Sequence, residues 1–386
     1  MPLTLPGELV DIELSGGRGV VMCIAEASPD RADAPCPHFG ACGGCNLQHW
    51  RDGAYAAWKT GTLAAALARA GYDGIPLPPI ARTPPGARRR IDLAVRRDGP
   101  RVSVGLHGLR SNTVVDWQVC LVSHPKLVAL LDPLRRVLNS LQALKREGSA
   151  ICNLCDNGID LLLRTDAALT SGDRARLAAF ATASGVARVS WALGNGPPES
   201  AATLHPPEIA LSGVAVQPGP GAFLQASPQG EAAIVAAVRA GLPAKGRVAD
   251  LYAGYGTITH AIALTHRVAA YEGDAAAAAS LKRAGIAVEH RDLVRRPLLG
   301  KELKSFAAVV LDPPFGGAAT QLGELASAKV PRIIYVSCNP AALARDARIL
   351  RDAGYQVLAA TPIDQFLWSA RLESVIVFDL PKRGKS

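Results

Sequence analysis

The stretch Arg247–Thr257, which reads RVADLYAGYGT, predicts the fold of the last third of this 386-residue chain. Its apolar start is typical of a buried strand, and its glycines are typical of the tight turn that leads from a strand into a helix. Further apolar segments alternate with helical ones, near residues 267–272, 286–290, 306–311, 332–337, 355–361 and 373–380. This alternation predicts a doubly wound, Rossmann-like α/β domain whose strands are mostly parallel.

The first turn of this domain indicates which cofactor the domain binds. Gly254 and Gly256 lie in the turn, but the third glycine of a dinucleotide-binding turn is missing. The second strand ends with Glu272, a carboxylate placed to hold a ribose diol, and Asp292 follows the third strand at a position suited to an adenine edge. Because ligands bind at the carboxyl ends of strands in such sheets, these residues together predict a class I methyltransferase site for S-adenosylmethionine.

Three later strands are expected to bring reactive groups to the same edge of the sheet. Cys338 lies at the end of a strand in IIYVSCNP (333–340), Asp312 follows the preceding strand in DPPF (312–315), and Glu373 begins the last strand. C5 of uracil attacks a methyl donor only after a thiolate has added to C6, and a base must then remove the C5 proton. A cysteine and a carboxylate facing one cleft therefore predict methylation of a pyrimidine carbon.

Two alternatives remain open from the residues themselves. The DPPF segment, Asp312–Phe315, also resembles the motif of methyltransferases that act on exocyclic amines such as adenine N6. A non-catalytic RNA-binding protein would need neither group. Only the uracil-C5 reaction needs both Cys338 and Glu373, so their coexistence favours that reaction.

A second group of cysteines lies near the start of the chain, in CPHFGACGGCNLQHW (36–50). Cys36, Cys42 and Cys45 have the spacing C-x5-C-x2-C, with glycines that allow the backbone to approach closely. This pattern predicts an iron–sulfur or zinc site that lacks its fourth thiolate. The remaining candidates for that ligand are Cys120, Cys152 and Cys155. A structural role is expected for the Cys152/Cys155 pair and a core position for Cys23.

Charge points to a polyanionic partner. The net charge is +9, and eight arginines against two aspartates lie between Arg82 and Arg110. Arg88, Arg89 and Arg90 form the densest part of this stretch, which predicts either a phosphate-contacting patch or a solvated surface hairpin. No apolar run is long enough to span a membrane and the first residues do not form a signal peptide, so a cytoplasmic protein without a membrane partner is expected.

The organisation of the chain is predicted as four successive parts. Residues 1–35 form a short strand segment, a possible remnant of an RNA-binding barrel, and residues 36–75 form the cysteine loop and a helix. Residues 76–225 read as a β-rich RNA-binding domain, because short alternating strands are separated by glycine and proline. Residues 226–386 form the methyltransferase domain.

Together these motifs resemble the S-adenosylmethionine-dependent RNA uridine-C5 methyltransferases, in particular the branch that carries a 4Fe–4S cluster and acts mostly on 23S ribosomal RNA. The resemblance implies Cys338 as nucleophile, Glu373 as the base that removes the C5 proton and Asp312 as an acid in the cleft. It implies that the cofactor is held by Gln225, Tyr252, Thr257, Glu272 and Asp292, in addition to the glycine turn. It implies that the cluster ligands are Cys36, Cys42, Cys45 and Cys120. A monomer that meets rRNA before or during ribosome assembly is expected.

The chain departs from the family pattern at several places near the site, among them the segment 364–368, which lacks an expected proline, and the cofactor contacts Tyr252 and Thr257. Phe315 stands where an arginine is common, Ser227 where an asparagine is frequent, and Arg371 where a histidine is expected two residues before the base. The pair Cys338 and Glu373 is retained. We therefore predict an active but divergent member whose target uridine the sequence leaves open.

Overall fold

Two large sheets organise the chain, and the computed structural model describes residues 3–15 and 18–381 of it. A separate antiparallel pair precedes them, made of β1 (Leu9–Ser15) and β2 (Arg18–Glu26). The cysteine loop and helix α1 (Asp52–Ala70) follow. This helix ends at Gly71, as the sequence predicts, with the left-handed φ of 90° that favours glycine at this position.

The central sheet has the order β10-β9-β8-β7-β4-β5-β6. Its pairs are antiparallel except for the parallel pair β8 and β9, which α4 connects. The strands are β4 (Arg90–Asp98), β5 (Arg101–His107), β6 (Val114–Asp116), β7 (Glu147–Cys155), β8 (Gly158–Thr165), β9 (Val186–Leu193) and β10 (Glu199–Thr203). The helices are α2 (Pro125–Ala129), α3 (Leu131–Ser140) and α4 (Ser171–Ser184), and the hairpin β11 (Ile209–Leu211) and β12 (Val214–Val216) follows. The middle region is thus rich in β-strands.

The second sheet has the order β15-β14-β13-β16-β17-β19-β18-β3, with β13 to β17 parallel. Its strands are β3 (Ala81–Arg82), β13 (Arg247–Leu251), β14 (Arg267–Glu272), β15 (Ala287–His290), β16 (Ala308–Leu311), β17 (Arg332–Ser337), β18 (Gln356–Asp364) and β19 (Glu373–Asp379). The helices are α5 (Pro228–Gly241), α6 (Thr257–Ala263), α7 (Ala275–Arg283), α8 (Gly300–Leu303), α9 (Ala319–Ser327) and α10 (Pro340–Asp352). The predicted doubly wound α/β domain is therefore present.

Helix α1 and strand β3 belong to the layers of this second sheet, although the sequence analysis groups the helix with the cysteine loop and strand β3 with the central domain. Leu63 and Leu67 of α1 are buried in the same core as Leu350 of α10. Strand β3 extends the sheet by pairing with β18. The physical reason is that the apolar face of α1 and the open edge of β18 both need cover.

Within the described part of the chain, no helix combines the length and apolarity that a membrane crossing requires. Cys23 is exposed on β2, so the prediction of a core position for it is wrong. Cys152 and Cys155 are buried, in agreement with a structural role.

Candidate active site

Three strand ends meet at one edge of the second sheet. Asp312 follows β16 and Cys338 follows β17, and these two strands are parallel neighbours. Strand β19 runs antiparallel to β17, and its Ser374 pairs with Ser337. A strand that runs in the opposite direction begins where its neighbour ends. Glu373, the first residue of β19, therefore lies beside the cysteine.

A chain of amide side chains joins the two carboxyls of the site. Gln225 donates from Nε2 to Asp312 Oδ2 at 3.1 Å. Gln365 donates from Nε2 to Gln225 Oε1 at 2.9 Å and to Glu373 Oε2 at 2.7 Å. The other carboxyl oxygen of Glu373, Oε1, is buried without a partner among the described residues. One oxygen is thus fixed in place while the second is left to accept a proton.

Gln365 is a site residue that the sequence analysis missed. It immediately follows the last residue of β18, so it lies at the same edge as the predicted groups. Its Oε1 accepts a bond from the backbone N–H of Ala226, which orients the amide. A polar residue directly after a buried strand was the available signal, and its partners are too distant in sequence to be identified from a local pattern.

Burial sets the protonation of the reactive groups. It raises the pKa of Glu373 to about 8, with the nearby Asp312 charge as the second cause. It raises the pKa of Asp312 to about 6. It raises the pKa of Cys338 to about 11, helped by both carboxylates and opposed by the positive charge of Arg371. A base with a pKa near the ambient pH suits proton transfer, whereas the thiol needs activation when the substrate binds.

The proposed cofactor turn has the backbone that close approach to a ligand requires. Tyr252, Gly254 and Gly256 all have left-handed φ values, of 62°, 55° and 99°. A Cβ on Gly256 would come within 2.7 Å of the side chains of His260 in α6 and Leu281 in α7. Glu272 accepts a bond from the backbone N–H of Gly254 at 2.6 Å, so its carboxylate lies against this turn. Asp292 accepts from the backbone N–H of Val294 at 3.0 Å in the loop after β15.

Thr257 begins α6 directly after this turn, and its hydroxyl donates to Glu231 at 3.5 Å. Asp250, at the end of β13, is buried and accepts from the Thr259 hydroxyl at 2.5 Å. Burial raises the pKa of Asp250 to about 7. The glycine turn, the carboxylates of Glu272 and Asp292 and the first residue of α6 thus follow strand ends at one edge of the sheet. This set of groups fits a cationic cofactor that carries a ribose.

The structure brings the four predicted cluster cysteines around one cavity of about 650 Å³: Cys36, Cys42, Cys45 and Cys120. Of the three candidates for the fourth position, Cys120 lines this cavity and Cys152 and Cys155 do not. In the part of the chain that the structure describes, no three cysteine, histidine or carboxylate side chains form a metal-binding arrangement as they stand.

The cavity has the donors that charged sulfur requires. Cys42 Sγ accepts from the indole N–H of Trp117 and from the backbone N–H of Gly44, both at 3.4 Å. Cys120 Sγ accepts from the Ser123 hydroxyl at 3.2 Å. Burial raises the pKa of Cys45 to about 11, and the other three thiols add to this increase. A metal ion bound in this cavity would therefore have four sulfur atoms along its walls as possible ligands.

The cysteine loop is attached to the segment that leads to Glu373. The backbone N–H groups of Asn46 and Leu47 donate to the carbonyl of Trp368 at 2.9 and 3.0 Å. The fully buried Lys59 of α1 holds the other side of this segment, because it pairs with Asp364 at 2.8 Å and donates to two backbone carbonyls of the segment. The loop between β18 and β19 is therefore fixed from both sides.

The three clustered arginines have different environments. Arg89 is buried, pairs with Glu231 at 2.6 Å and donates to the carbonyl of Gln225 at 3.1 Å, so it joins the central domain to the methyltransferase domain. Arg88 and Arg90 line the cysteine cavity. Both are half-buried: Arg88 donates from Nε to the Arg90 carbonyl at 2.9 Å, and the Arg90 guanidinium lies over the Phe223 ring.

Comparison with known proteins identifies relatives over the whole chain. The model of a family described as tRNA (Uracil-5-)-methyltransferase matches residues 277–380. The chain is 39% identical to an uncharacterized RNA methyltransferase of Brucella suis, over 98% of this chain and 91% of that protein. It is 34% identical to the 23S rRNA (uracil(1939)-C(5))-methyltransferase RlmD of Chromohalobacter salexigens, over 99% of this chain and 85% of that protein.

A solved structure shares the fold. The tRNA (uracil-54, C5)-methyltransferase of Pyrococcus abyssi, in complex with S-adenosyl-L-homocysteine, superposes with a TM-score of 0.74 and 20% sequence identity. The match covers 98% of this chain and 94% of that one. The whole arrangement of two sheets is therefore shared, and not the methyltransferase domain alone.

Proposed function

Since this chain belongs to the RNA uracil-C5 methyltransferases, which take their methyl group from S-adenosylmethionine, we propose that it methylates a uridine of 23S rRNA through a covalent bond between Cys338 and C6. The observation that carries this mechanism is the position of Glu373 beside Cys338, at facing ends of two antiparallel strands. Family membership excludes the amine-methylating and non-catalytic alternatives. The choice of 23S rRNA follows the RlmD relative.

The first chemical step assigned to this chain is the attack of the thiolate. Cys338 first loses its proton to solvent, its thiolate then forms the bond to C6, and the positive charge of Arg371 favours the thiolate. Addition to C6 pushes electron density to C5 and O4 of the uracil ring, which makes C5 a nucleophile. S-adenosylmethionine, when bound, supplies the electrophilic methyl group.

The second step needs a base. After methyl transfer, C5 carries both a methyl group and a proton, and the C6–S bond breaks only as this proton is removed. Glu373 has an unpartnered oxygen, Oε1, and Gln365 holds its other oxygen. We assign Glu373 as this base and Gln225 and Asp312 as groups that line the cleft, where Asp312 contacts the substrate or the cofactor.

A direct assay distinguishes the substrate. The purified enzyme is incubated with 23S rRNA, or with tRNA as the alternative substrate, and the nucleosides are analysed by mass spectrometry. We expect 5-methyluridine in 23S rRNA alone. Methylation of tRNA but not of 23S rRNA would overturn the substrate assignment and leave the uracil-C5 chemistry intact.

The proposal also specifies the conformation of the target uridine and the stage at which it is methylated. A base within a helix hides C6 from any side chain, so the target uridine must be single-stranded or flipped out of its stack. Such a nucleotide is accessible before or during ribosome assembly. A cytoplasmic monomer that meets rRNA at this stage fits the proposal.

Arg88 and Arg90 are proposed to contact RNA phosphates, whereas Arg89 holds the two domains together. The variant Arg88→Ala/Arg90→Ala should bind 23S rRNA more weakly, and the salt dependence of binding should flatten by about one slope unit for each lost contact. Filter-binding titrations at several salt concentrations measure this slope. Arg96→Ala is the matched control, because Arg96 is exposed and pairs with Glu147 on the same sheet. An unchanged slope in the double variant would remove these residues from the RNA interface.

The four cysteines are proposed to hold a 4Fe–4S cluster through Cys36, Cys42, Cys45 and Cys120. The donors to sulfur and the shared cavity support this assignment. Zinc accepts the same ligands, so metal and sulfide analysis decides between the two.

A further inference from the structure

An exposed phenylalanine lies at the rim of the active site. Phe315 follows Asp312 by three residues and is 56% exposed. Its loop is held in place, because the side chain of Asn339 donates to the Phe315 carbonyl at 3.0 Å and Arg345 donates to the next carbonyl, of Gly316, at 2.7 Å. Asn339 is the neighbour of Cys338. A large apolar ring is thus kept in solvent on a fixed loop beside the nucleophile.

The ring has an arginine beside it. The guanidinium carbon of Arg371 lies 5.5 Å from the centre of the Phe315 ring, within the range of a cation–π contact. Arg371 is itself exposed and comes from a different strand end, two residues before Glu373. Single exposed hydrophobic residues are common on proteins. An aromatic ring and a guanidinium brought together from two separate loops, one bonded to the neighbour of Cys338 and one two residues before Glu373, require a further explanation.

We propose that Phe315 and Arg371 form a platform on which an unpaired base next to the target uridine stacks. This inference rests on the proposed function, since it takes RNA as the substrate. Aromatic rings and guanidinium planes are the groups on which proteins stack single-stranded bases. The positive charge of Arg371 also complements the phosphate that joins the two nucleotides.

Stacking on this platform would lower the free-energy cost of flipping the target uridine. Moving the target uridine out of its stack deprives the neighbouring base of a stacking partner, and this loss opposes flipping. A protein surface that stacks that neighbour compensates for the loss and fixes the strand at a set distance from Cys338. The residue departures at 315 and 371 then act together, because they place a ring and a cation in one contact.

The test measures RNA binding and 5-methyluridine formation separately. Phe315→Ala should weaken binding of a short RNA that contains the target uridine by about 10-fold, the scale of one stacked base. Phe315→Trp should restore binding, whereas Phe315→Leu, which is apolar without a ring, should not. Leu358→Ala is the matched control, because Leu358 is similarly exposed, at 58%, near the start of β18.

An abasic substrate identifies the partner of the ring. Removing the base on one side of the target uridine should weaken binding to the wild-type enzyme, and Phe315→Ala should then cause no additional loss. Additive losses would show that the ring contacts another group and would overturn the proposal. A weaker affinity of Phe315→Ala for S-adenosylhomocysteine, with RNA binding unchanged, would assign the ring to the cofactor and overturn it as well.

Failure of the proposed function gives a different result. If the wild-type enzyme forms no 5-methyluridine, the function is wrong, whereas the platform is judged by the binding losses alone. Unchanged RNA binding by Phe315→Ala, with thermal unfolding as in the wild type, would leave Phe315 an ordinary surface residue.

Discussion

The variant Glu373→Gln should remain covalently attached to methylated RNA, and Cys338→Ala should form neither product nor adduct. Glutamine keeps the shape of Glu373 and still accepts the hydrogen bond from Gln365, but it cannot remove the C5 proton. Methyl transfer then occurs while release of the thiolate stalls. We expect turnover to fall by about 10²- to 10⁴-fold in Glu373→Gln, the usual contribution of a general base, and to background in Cys338→Ala.

Denaturing gels and tritium release distinguish the two failures. Glu373→Gln should give a slowly migrating protein–RNA band that contains the labelled methyl group, with no tritium released from a C5-labelled uridine. Glu147→Gln, which replaces an exposed carboxylate of the central sheet, is the control and should behave as wild type. Normal turnover of Glu373→Gln, or activity of Cys338→Ala, would contradict the mechanism.

The pH profile follows from the same group. Burial raises the pKa of Glu373 to about 8, so at neutral pH most of this carboxyl is protonated before the reaction. Only the ionised form accepts a proton. The rate of proton removal should therefore rise with pH through about 8 in the wild type, and this limb should be absent in Glu373→Gln.

Protein purified without oxygen should contain about four iron and four sulfide ions per chain, and Cys45→Ser should lose most of both. Cys45 is chosen because it is close to the other cysteines of the cavity: burial raises the pKa of its thiol, and the three neighbouring thiols add to this increase. When a thiol binds a metal its proton is released to solvent and the thiolate becomes the ligand, whereas a serine hydroxyl keeps its proton. Iron and sulfide assays on the purified protein measure the loss.

Cys23→Ser is the control for the cluster, because Cys23 is exposed and does not line the cavity. Its iron and sulfide content should equal that of the wild type. Stoichiometric zinc without sulfide in the wild type would contradict the iron–sulfur assignment.

Limited proteolysis gives a second measurement of the role of the cysteine loop that does not depend on activity. In Cys45→Ser, cleavage should appear first in the cysteine loop, whereas Lys59 and Asp364 continue to hold the segment before Glu373.

The sequence by itself determined the chemistry and the sheet that presents it. The strand pattern after residue 241 predicted seven of the eight strands of the methyltransferase sheet to within a few residues, because apolar runs and glycine turns are local signals, but it did not predict β3. It also placed Asp312, Cys338 and Glu373 at strand ends. Since the carboxyl ends of parallel strands share one edge, no tertiary information was needed to bring the first two together.

Only the tertiary structure decided the partners of these residues. Gln365 and Gln225 are separated by 140 positions and meet through a hydrogen bond, and no local pattern encodes such a distance. The resemblance implied Cys120, but the cysteine spacing did not distinguish it from Cys152 and Cys155; in the structure Cys120 lies on the cavity of the N-terminal cysteines. Arg89 looks like its neighbours in the sequence, but the docking of two domains buries it against Glu231. Helix α1 belongs to the methyltransferase domain because its apolar face packs on α10, and burial of such a face depends on which surface the fold makes available.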